Sequence, residues 1–245
     1  MDKPPLIEIV AFTHEGRLRE SNEDSLTVAG WVSDVAMSAP RRSRHELAEP
    51  LLVAIADGMG GHAAGEVASR YAIKRLAAEP FSGSAAAVSG TLGTINAELY
   101  QSMAADRSLL GMGTTVVGLL VTARRVVWFN VGDSRLYRVR GGELVQLSVD
   151  DVPPGPRSGM ITQTLGGAPA FMPISPHVGA ADLSPPSRWL LCSDGLSDML
   201  ADAEIERAMA SSDEDALRAL FTQAMQAGGV DNISIIVASV TQPTE

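Results

Sequence analysis

The chain has 245 residues, of which 45% are hydrophobic and 20% are charged, so it can form one large domain or two small ones with a substantial core. The formal net charge of −10 argues against nucleic acid as the main partner, because phosphate contacts need clustered lysine and arginine. No apolar run approaches the roughly 20 residues of a membrane span, the N-terminus lacks a signal-peptide pattern, and the single cysteine, Cys192, suits a reducing cytoplasm.

The N-terminal part of the chain predicts two strands separated by polar segments. Residues 6–13 alternate apolar and polar side chains, as a half-buried strand does. Residues 26–29 form a second strand-like stretch, which follows the polar run Asn22-Glu23-Asp24; this run is typical of a turn. Residues 38–50 contain two prolines and three arginines with little periodicity, and we predict an exposed loop there.

The stretch 51–62 joins an apolar run to an acid and a glycine-rich turn. Residues 51–56 predict a buried strand, and Gly58, Gly60 and Gly61 allow a sharp turn whose backbone can approach a small ligand. Asp57, between the two, has two interpretations. It is either the N-cap of the following helix or a carboxylate that the strand end holds rigidly for a ligand.

Two helices follow this stretch. Residues 64–78 place Ala68, Ala72 and Leu76 on one stripe. The second helix has a stronger pattern, since its apolar residues recur at intervals of three and four. These residues are Val88, Leu92, Ile95, Leu99 and Met103.

From residue 114 the pattern predicts a meander of strands. We expect strands at residues 114–121, 126–131, 136–139, 144–147, 174–178 and 189–192, with a proline-bearing loop at 148–159. The spacing Ser211-x-x-Glu214 is that of a capping box for a helix that stops at Gly228-Gly229, and residues 233–237 form the last strand. Strands outnumber helices without strict alternation, which favours an α+β layered domain.

Acidic residues recur at the boundaries of these apolar strands. They are Asp57, Asp133, Asp194 and Asp231, with Glu23-Asp24 beside the first turn. Several carboxylates packed together repel one another unless a cation neutralises them, and oxygen ligands select Mg²⁺ or Mn²⁺. Two such ions bridged by an aspartate are a recurrent device for hydrolysing phosphoesters. The alternative is that these acids are turn residues with no common site.

Other catalytic arrangements fit poorly. The two lysines, Lys3 and Lys74, are not part of a P-loop, and Cys192 reads as a small buried hydrophobe. Residues 132–136 do not match a nucleophile elbow, because a leucine takes the place of the second glycine. No histidines have metal-ligand spacing; the four are His14, His45, His62 and His177.

Taken in order, these motifs resemble the metal-dependent Ser/Thr protein phosphatases (PPM, type 2C), especially their bacterial members. The matching pieces are Arg19-x-x-Asn22-Glu23-Asp24, Asp57-Gly58-Met59-Gly60-Gly61-His62, Gly113-Thr114-Thr115, Val131-Gly132-Asp133-Ser134-Arg135, Ser193-Asp194-Gly195-Leu196-Ser197-Asp198 and Asp231-Asn232. The resemblance runs from Arg19 to Val237. Each piece alone is a weak signal, but their order makes a chance similarity very unlikely.

The resemblance implies a four-layer αββα sandwich, in which two antiparallel sheets are flanked by helix pairs, as a single catalytic domain over residues 1–245. It also implies two Mn²⁺ or Mg²⁺ ions, bridged by Asp57, with the backbone carbonyl of Gly58 as a further ligand. Asp194 and Asp231 would bind the first ion, and Glu23 would act on the second.

Three further roles come from the same resemblance. Asp24 would belong to the acidic cluster, and Asp133, with Asp194 and Asp198, would form a weaker third metal site. Arg19 would clamp the substrate phosphate, which suits the bidentate geometry of a guanidinium.

The chain departs from the family pattern in two places. The flap before residue 161 is short, limited to about residues 148–160, which affects substrate selection rather than chemistry. Met59 takes the position of a candidate general-acid histidine found in eukaryotic members, and His62 has no assigned role.

The function implied is hydrolysis of phosphoserine and phosphothreonine on proteins by a metal-activated water, reversing a Ser/Thr kinase in a bacterial cytoplasm. The expected partners are phosphoprotein substrates and a cognate kinase, and a monomer is expected. One alternative is a non-catalytic phosphatase-like module that binds phosphoproteins or a kinase. The other is a metal-dependent enzyme for different phosphoesters.

Overall fold

The computed structural model describes residues 3–59, 64–155 and 160–242. The helices are α1 Ala64–Ala78, α2 Ala85–Ala105, α3 Asp194–Ser197, α4 Asp202–Ala208 and α5 Asp213–Gln226, with a 3₁₀ turn at Arg107–Leu109. The strands are β1 Leu6–His14, β2 Ser25–Val28, β3 Trp31–Ser33, β4 Arg41–Glu46, β5 Leu51–Ala56, β6 Gly58–Met59, β7 Gly113–Thr114, β8 Val116–Val121, β9 Arg125–Val131, β10 Arg135–Arg140, β11 Glu143–Gln146, β12 Leu165–Gly166, β13 His177–Asp182, β14 Ser187–Cys192 and β15 Ile233–Thr241. Gly60, Gly61 and His62 lie outside the described residues.

Two six-stranded antiparallel sheets form the centre of the protein. The first sheet has the order β11-β10-β14-β15-β1-β4, and the second has the order β13-β9-β8-β5-β2-β3. A third, short sheet, β12-β7-β6, extends from the end of β5. Most neighbouring strands are far apart in the sequence, so long-range pairing holds the sheets together.

Three apolar clusters show how the layers stack. The middle cluster lies between the sheets and contains Ile9 of β1, Val53 of β5 and Trp189 of β14. A second cluster packs α1 and α2 on the outer face of the second sheet, and a third packs α3, α4 and α5 on the outer face of the first. The predicted α+β fold with αββα layers is confirmed.

The periodic helices form as their apolar stripes predict. All five stripe residues of α2 are buried at 5% exposure or less, and α1 begins at Ala64, well after Asp57. The predicted cap of α5 is off by one residue: the Ser212 side chain, not that of Ser211, accepts a hydrogen bond from the backbone of Asp215. Gly228 and Gly229, both with positive φ, follow the end of this helix as predicted.

The predicted exposed loop at residues 38–50 is wrong in part, because it contains β4. This strand pairs with β1 at the edge of the first sheet, where main-chain hydrogen bonds do not require an apolar pattern. The three arginines of this edge strand disfavour its pairing with a strand of another molecule. The guanidinium of Arg41 lies 4.4 Å from the ring centroid of Trp31.

The pattern placed one other strand inaccurately and missed several short elements. The strand predicted at 174–178 is β13, which begins only at His177 and continues to Asp182 opposite β9. The elements β3, α3 and α4 were not predicted, because they are too short to show a clear period. Across the described ranges, no helix combines the length and apolarity that crossing a bilayer requires.

Candidate metal centre

The strand register brings the predicted acids to one edge of both sheets. The first residue of β2 lies opposite the last residue of β5, so Asp24 and Asp57 adjoin each other. In the other sheet, β14 ends and β15 begins at the same edge, which places Asp194 beside Asp231. Asp133 follows β9, whose last residue lies opposite the first residue of β8, in the same sheet as β5.

Asp57 lies at the centre of the cluster, where its carboxyl adjoins those of both Asp24 and Asp194. Burial, followed by the negative charges of Asp24, Asp194 and Asp231, raises the pKa of Asp57 well above its ordinary value. Burial, followed by the charges of Asp133 and Asp231, raises the pKa of Asp194 to about 7. The cluster therefore disfavours its full negative charge, which a bound cation would relieve.

Asp24 lies behind this pair and is 0% exposed. Its Oδ2 accepts hydrogen bonds from the hydroxyls of Ser193 at 2.9 Å and Ser234 at 2.6 Å. Burial raises its pKa to about 7 despite these hydrogen bonds. Ser193 follows β14 and Ser234 lies in β15, both in the first sheet, whereas Asp24 precedes β2 of the second sheet. These hydrogen bonds therefore tie the two sheets together beside the acidic cluster.

Among the strand-end acids and Asp24, three buried carboxylate oxygens have no hydrogen-bond partner: Oδ1 of Asp24, Oδ1 of Asp133 and Oδ1 of Asp194. Native proteins pair nearly all buried polar atoms, so these oxygens fit the ligand set of a hard cation. Within the described ranges, no three carboxylate, imidazole or thiolate groups already surround one cation position.

Asp198, the outermost residue of the predicted third metal site, lies at the periphery of the acidic cluster. Asp198 follows α3 and is exposed, whereas Asp133 is half-buried. Burial, followed by the charge of Asp198, raises the pKa of Asp133 to about 6. The pKa of Asp198 is raised by partial burial and by Asp231, against the lowering effect of Arg135.

Glu23 and Gly58 meet at the N-terminus of α1. The backbone carbonyl of Glu23 accepts hydrogen bonds from the Gly58 N–H at 3.2 Å and from the Ser69 hydroxyl at 2.5 Å. A Cβ on Gly65 would lie 2.8 Å from the carbonyl carbon of Gly58 and 3.0 Å from Oε2 of Glu23, so glycine lets the helix approach both. Burial raises the pKa of Glu23, against the opposing effect of Arg19.

Arg19 lies at the open side of the cluster, and 53% of its side chain is exposed. Its guanidinium donates to Oδ2 of Asp231 at 2.7 Å, and this hydrogen bond is the main reason that its pKa is raised. A guanidinium has five N–H donors, so one bond to Asp231 leaves donors for a phosphate oxygen.

The roles of the residues that support these acids were not predictable from the sequence. Ser193, Ser234 and Asn232 have no chemistry of their own in the sequence, although two of them adjoin a predicted acid. Arg135, like Ser193 and Asn232, was part of a motif but had no role; it binds both carboxylate oxygens of Asp150 through Nε and Nη2. Cys192 is fully buried, as predicted.

The family model described as protein phosphatase 2C matches residues 42–232, which include four of the strand-end acids. The chain belongs to the protein phosphatase 2C family. PstP of Mycobacterium tuberculosis, a serine/threonine protein phosphatase, is 31% identical to it, over 96% of this chain and 45% of PstP. The chain therefore spans about half the length of that relative. The serine/threonine phosphatase stp of Listeria monocytogenes is 30% identical, over 92% of each protein.

Solved structures of this phosphatase family have the same fold. The crystal structure of the Mycobacterium tuberculosis phosphatase PstP/Ppp superposes with a TM-score of 0.78 at 30% identity, covering 96% of this chain and 99% of that one. Stp1 from Staphylococcus aureus gives a TM-score of 0.79 at 28% identity, covering 98% and 97%. The catalytic domain of PstP has been crystallised in complex with two manganese ions.

Proposed function

We propose that this protein is a metal-dependent phosphatase that hydrolyses phosphoserine and phosphothreonine in proteins. The observation that carries the proposal is the convergence of strand-end carboxylates, with buried unpartnered oxygens, next to the guanidinium of Arg19. Membership of the protein phosphatase 2C family and the names of the relatives support the same activity.

The residues present fit a pair of Mn²⁺ or Mg²⁺ ions. Asp57 would be shared by both ions, Asp194 and Asp231 would hold the first, and Glu23 with the Gly58 carbonyl would hold the second. Asp133, with Asp194 and Asp198, would hold a weaker third ion, and Asp24 would complete the acidic cluster. When bound, the ions supply a water acidic enough to attack phosphorus and a positive charge for the phosphoryl oxygens.

The protein's own residues orient the substrate. Arg19 lies on the exposed side of Asp231 and donates to phosphate oxygens, which places the phosphorus over the carboxylate cluster. Its ion pair with Asp231 keeps the long side chain directed at the cluster before substrate arrives. Because this guanidinium is exposed, a phosphorylated side chain on the surface of a protein can reach it. The site does not have to enclose a small metabolite.

The cellular setting follows from the chemistry. A phosphatase of this kind opposes a Ser/Thr kinase, and we place both in the cytoplasm, where a protein with one buried cysteine and no disulfide is stable. We propose that the 245 residues act as a single catalytic domain and as a monomer. The predicted flap spans only residues 148–160 of the sequence, and its residues 156–159 lie outside the described ranges. We propose that residues elsewhere select the substrate.

The test is hydrolysis of a phosphothreonine peptide with Mn²⁺, then with excess EDTA. We expect activity that EDTA abolishes and Mn²⁺ restores, and Asp57→Asn should reduce the rate to the EDTA level. Asp182→Asn, at the exposed end of β13, is the matched control and should retain full activity. Activity that persists in chelator refutes the metal mechanism, and hydrolysis of nucleotides in preference to phosphopeptides refutes the substrate class.

A non-catalytic binding module is the competing function. It predicts phosphopeptide binding without turnover at any Mn²⁺ concentration. The complete acid set argues against it, since a protein that only binds has no use for unpartnered buried carboxylate oxygens, which lower its stability.

A further inference from the structure

One buried amide joins the segments that carry the candidate ligands. Asn232 is 4% exposed, and its Oδ1 accepts a hydrogen bond from the backbone N–H of Glu23 at 2.8 Å. Its Nδ2 donates to the carbonyl of Glu15 at 3.0 Å and to the carbonyl of Ser21 at 2.9 Å. One side chain therefore holds both ends of the loop 15–23.

This loop carries Arg19 and Glu23, whereas Asn232 directly follows Asp231. The Asp231 carboxylate accepts from the backbone N–H of Asn232 at 2.8 Å through Oδ1 and from Arg19 at 2.7 Å through Oδ2. The position of the amide and the orientation of this carboxylate are thus coupled through the main chain. A displaced loop would move the guanidinium relative to Asp231.

The backbone of Glu23 also contacts the segment that carries Asp57. The N–H of Glu23 binds Asn232, while its carbonyl accepts from Gly58, the residue after Asp57. The backbone of Glu23 therefore spans the distance between the two ligand-bearing segments. A shift of the Glu23 peptide would therefore displace the candidate ligands of both predicted metal ions.

Asparagine is the side chain whose chemistry fits this place. It offers one acceptor and two donors in a single plane, and all three are used. Aspartate has the same shape but would direct a carboxylate oxygen at two carbonyl oxygens, which is repulsive. Alanine would leave one buried N–H and two carbonyls without these bonds, at a cost that the loop relieves by moving.

We propose that Asn232 is a positioning residue, which sets the loop carrying Arg19 and Glu23 against Asp231 and Asp57 so that substrate phosphate and metal are bound together. It touches neither substrate nor metal. The backbone bond from Arg17 N–H to the Gly229 carbonyl at 2.7 Å remains without it, so the loop shifts rather than unfolds.

The kinetic test compares Asn232→Ala and Asn232→Asp with Asn96→Ala. Asn96 is a matched control, since it is 1% exposed and its amide joins α2 to the backbone of Gly166 and Met172, a segment without candidate ligands. For both Asn232 variants we expect the phosphopeptide KM and the half-saturating Mn²⁺ concentration to rise about tenfold. At saturation kcat should change less, and Asn96→Ala should leave both constants unchanged.

A second measurement uses the metal-free protein. In EDTA, the amide hydrogen of Glu23 should exchange with solvent about tenfold faster in both Asn232 variants than in the wild type, because one variant lacks its acceptor and the other displaces the loop. The same amide should be unaffected by Asn96→Ala. This measurement does not depend on catalysis.

The two measurements separate the inference from the proposed phosphatase activity, on which its kinetic part rests. Wild-type protein without activity would refute that activity, and faster exchange at Glu23 would still support the positioning role. Unchanged exchange and KM in an active Asn232→Ala protein would overturn it. A fall in kcat alone, matched by Asn96→Ala, would also overturn it, because it would indicate loss of folded protein only.

Discussion

The buried ion pair between Arg135 and Asp150 makes the strongest stability prediction. Only 11% of the Arg135 side chain and 15% of the Asp150 side chain are exposed, and the pair is bidentate, with contacts of 2.6 and 3.0 Å to Oδ2. Arg135 also donates to the hydroxyl of Tyr137 at 3.0 Å, and this hydroxyl donates to Asp202 at 2.9 Å. The guanidinium thus links β10, the start of the short flap and α4.

Replacing Arg135 with Met should lower the free energy of unfolding by about 3–5 kcal/mol, because the Asp150 carboxylate would keep its burial and lose the charged hydrogen bonds from this guanidinium. Exposed pairs contribute far less, about 1 kcal/mol or below. Arg42→Met, which breaks a pair with Glu214 in which 66% of the arginine is exposed, is the matched control and should stay in that lower range.

Urea unfolding of both variants at neutral pH, with EDTA present, measures the difference without a contribution from bound metal. The double variant Arg135→Met, Asp150→Leu should recover much of the loss, since two apolar groups can replace a buried pair at little cost. A loss of less than about 1 kcal/mol for Arg135→Met would refute the reasoning, because it would put the pair in the range of exposed ones. Failure of the double variant to recover stability would do the same.

Three further predictions follow from single residues. Gly65→Ala should raise the Mn²⁺ concentration required for activity without loss of helical signal in circular dichroism, because alanine suits a helix but its Cβ would press on Gly58 and Glu23; unchanged Mn²⁺ dependence would contradict this. Cys192 should resist thiol reagents until the protein unfolds, since it is fully buried and burial raises its pKa to about 12; modification of the folded protein at the rate of a free thiol would disprove it. Glu98→Gln should lower the free energy of unfolding by up to about 1 kcal/mol near neutral pH. The hydrogen bond from Arg75 lowers the pKa of Glu98, so the stabilisation is present above the unfolded-state pKa and is lost as the pH falls through the folded-state pKa. A difference in thermal unfolding between the variant and the wild type that persists at about pH 3 would refute this.

Periodic segments were predictable because burial on one face dictates the residue pattern. The stripe from Val88 to Met103 gave α2 its type and its approximate position, and the run at 51–56 gave β5 its bounds. The strand β4 was not predictable in this way, because an edge strand is stabilised by main-chain bonds and its exposed arginines carry no periodic signal. The cap at Ser212 was missed for a related reason: adjacent serines offer two registers, and tertiary packing selects one.

The individual acids of the site were predictable, but their supporting hydrogen bonds were not. A carboxylate at the end of an apolar run stands out, whereas Ser193 and Ser234 are ordinary small polar residues in the sequence. Their role depends on Asp24 lying between them, at 2.9 and 2.6 Å, and those contacts join residues more than 160 positions apart. Asn232 is similar, because all three partners of its amide are backbone groups, which leave no trace in the side-chain pattern.

Antiparallel register explains why acids so distant in the sequence meet. When neighbouring strands run in opposite directions, the residue before one and the residue after the other lie at the same edge. Asp24 precedes β2 and Asp57 follows β5, and Asp231 precedes β15 while the acid at 194 follows β14. Neither pair is a hairpin, so its pairing cannot be read from a turn. The placement of acids before and after strands can nevertheless be tested. If the aspartate is moved from position 231 to a neighbouring position, its carboxylate should leave the cluster, because the hydrogen bonds of Asn232 fix where position 231 lies relative to β15.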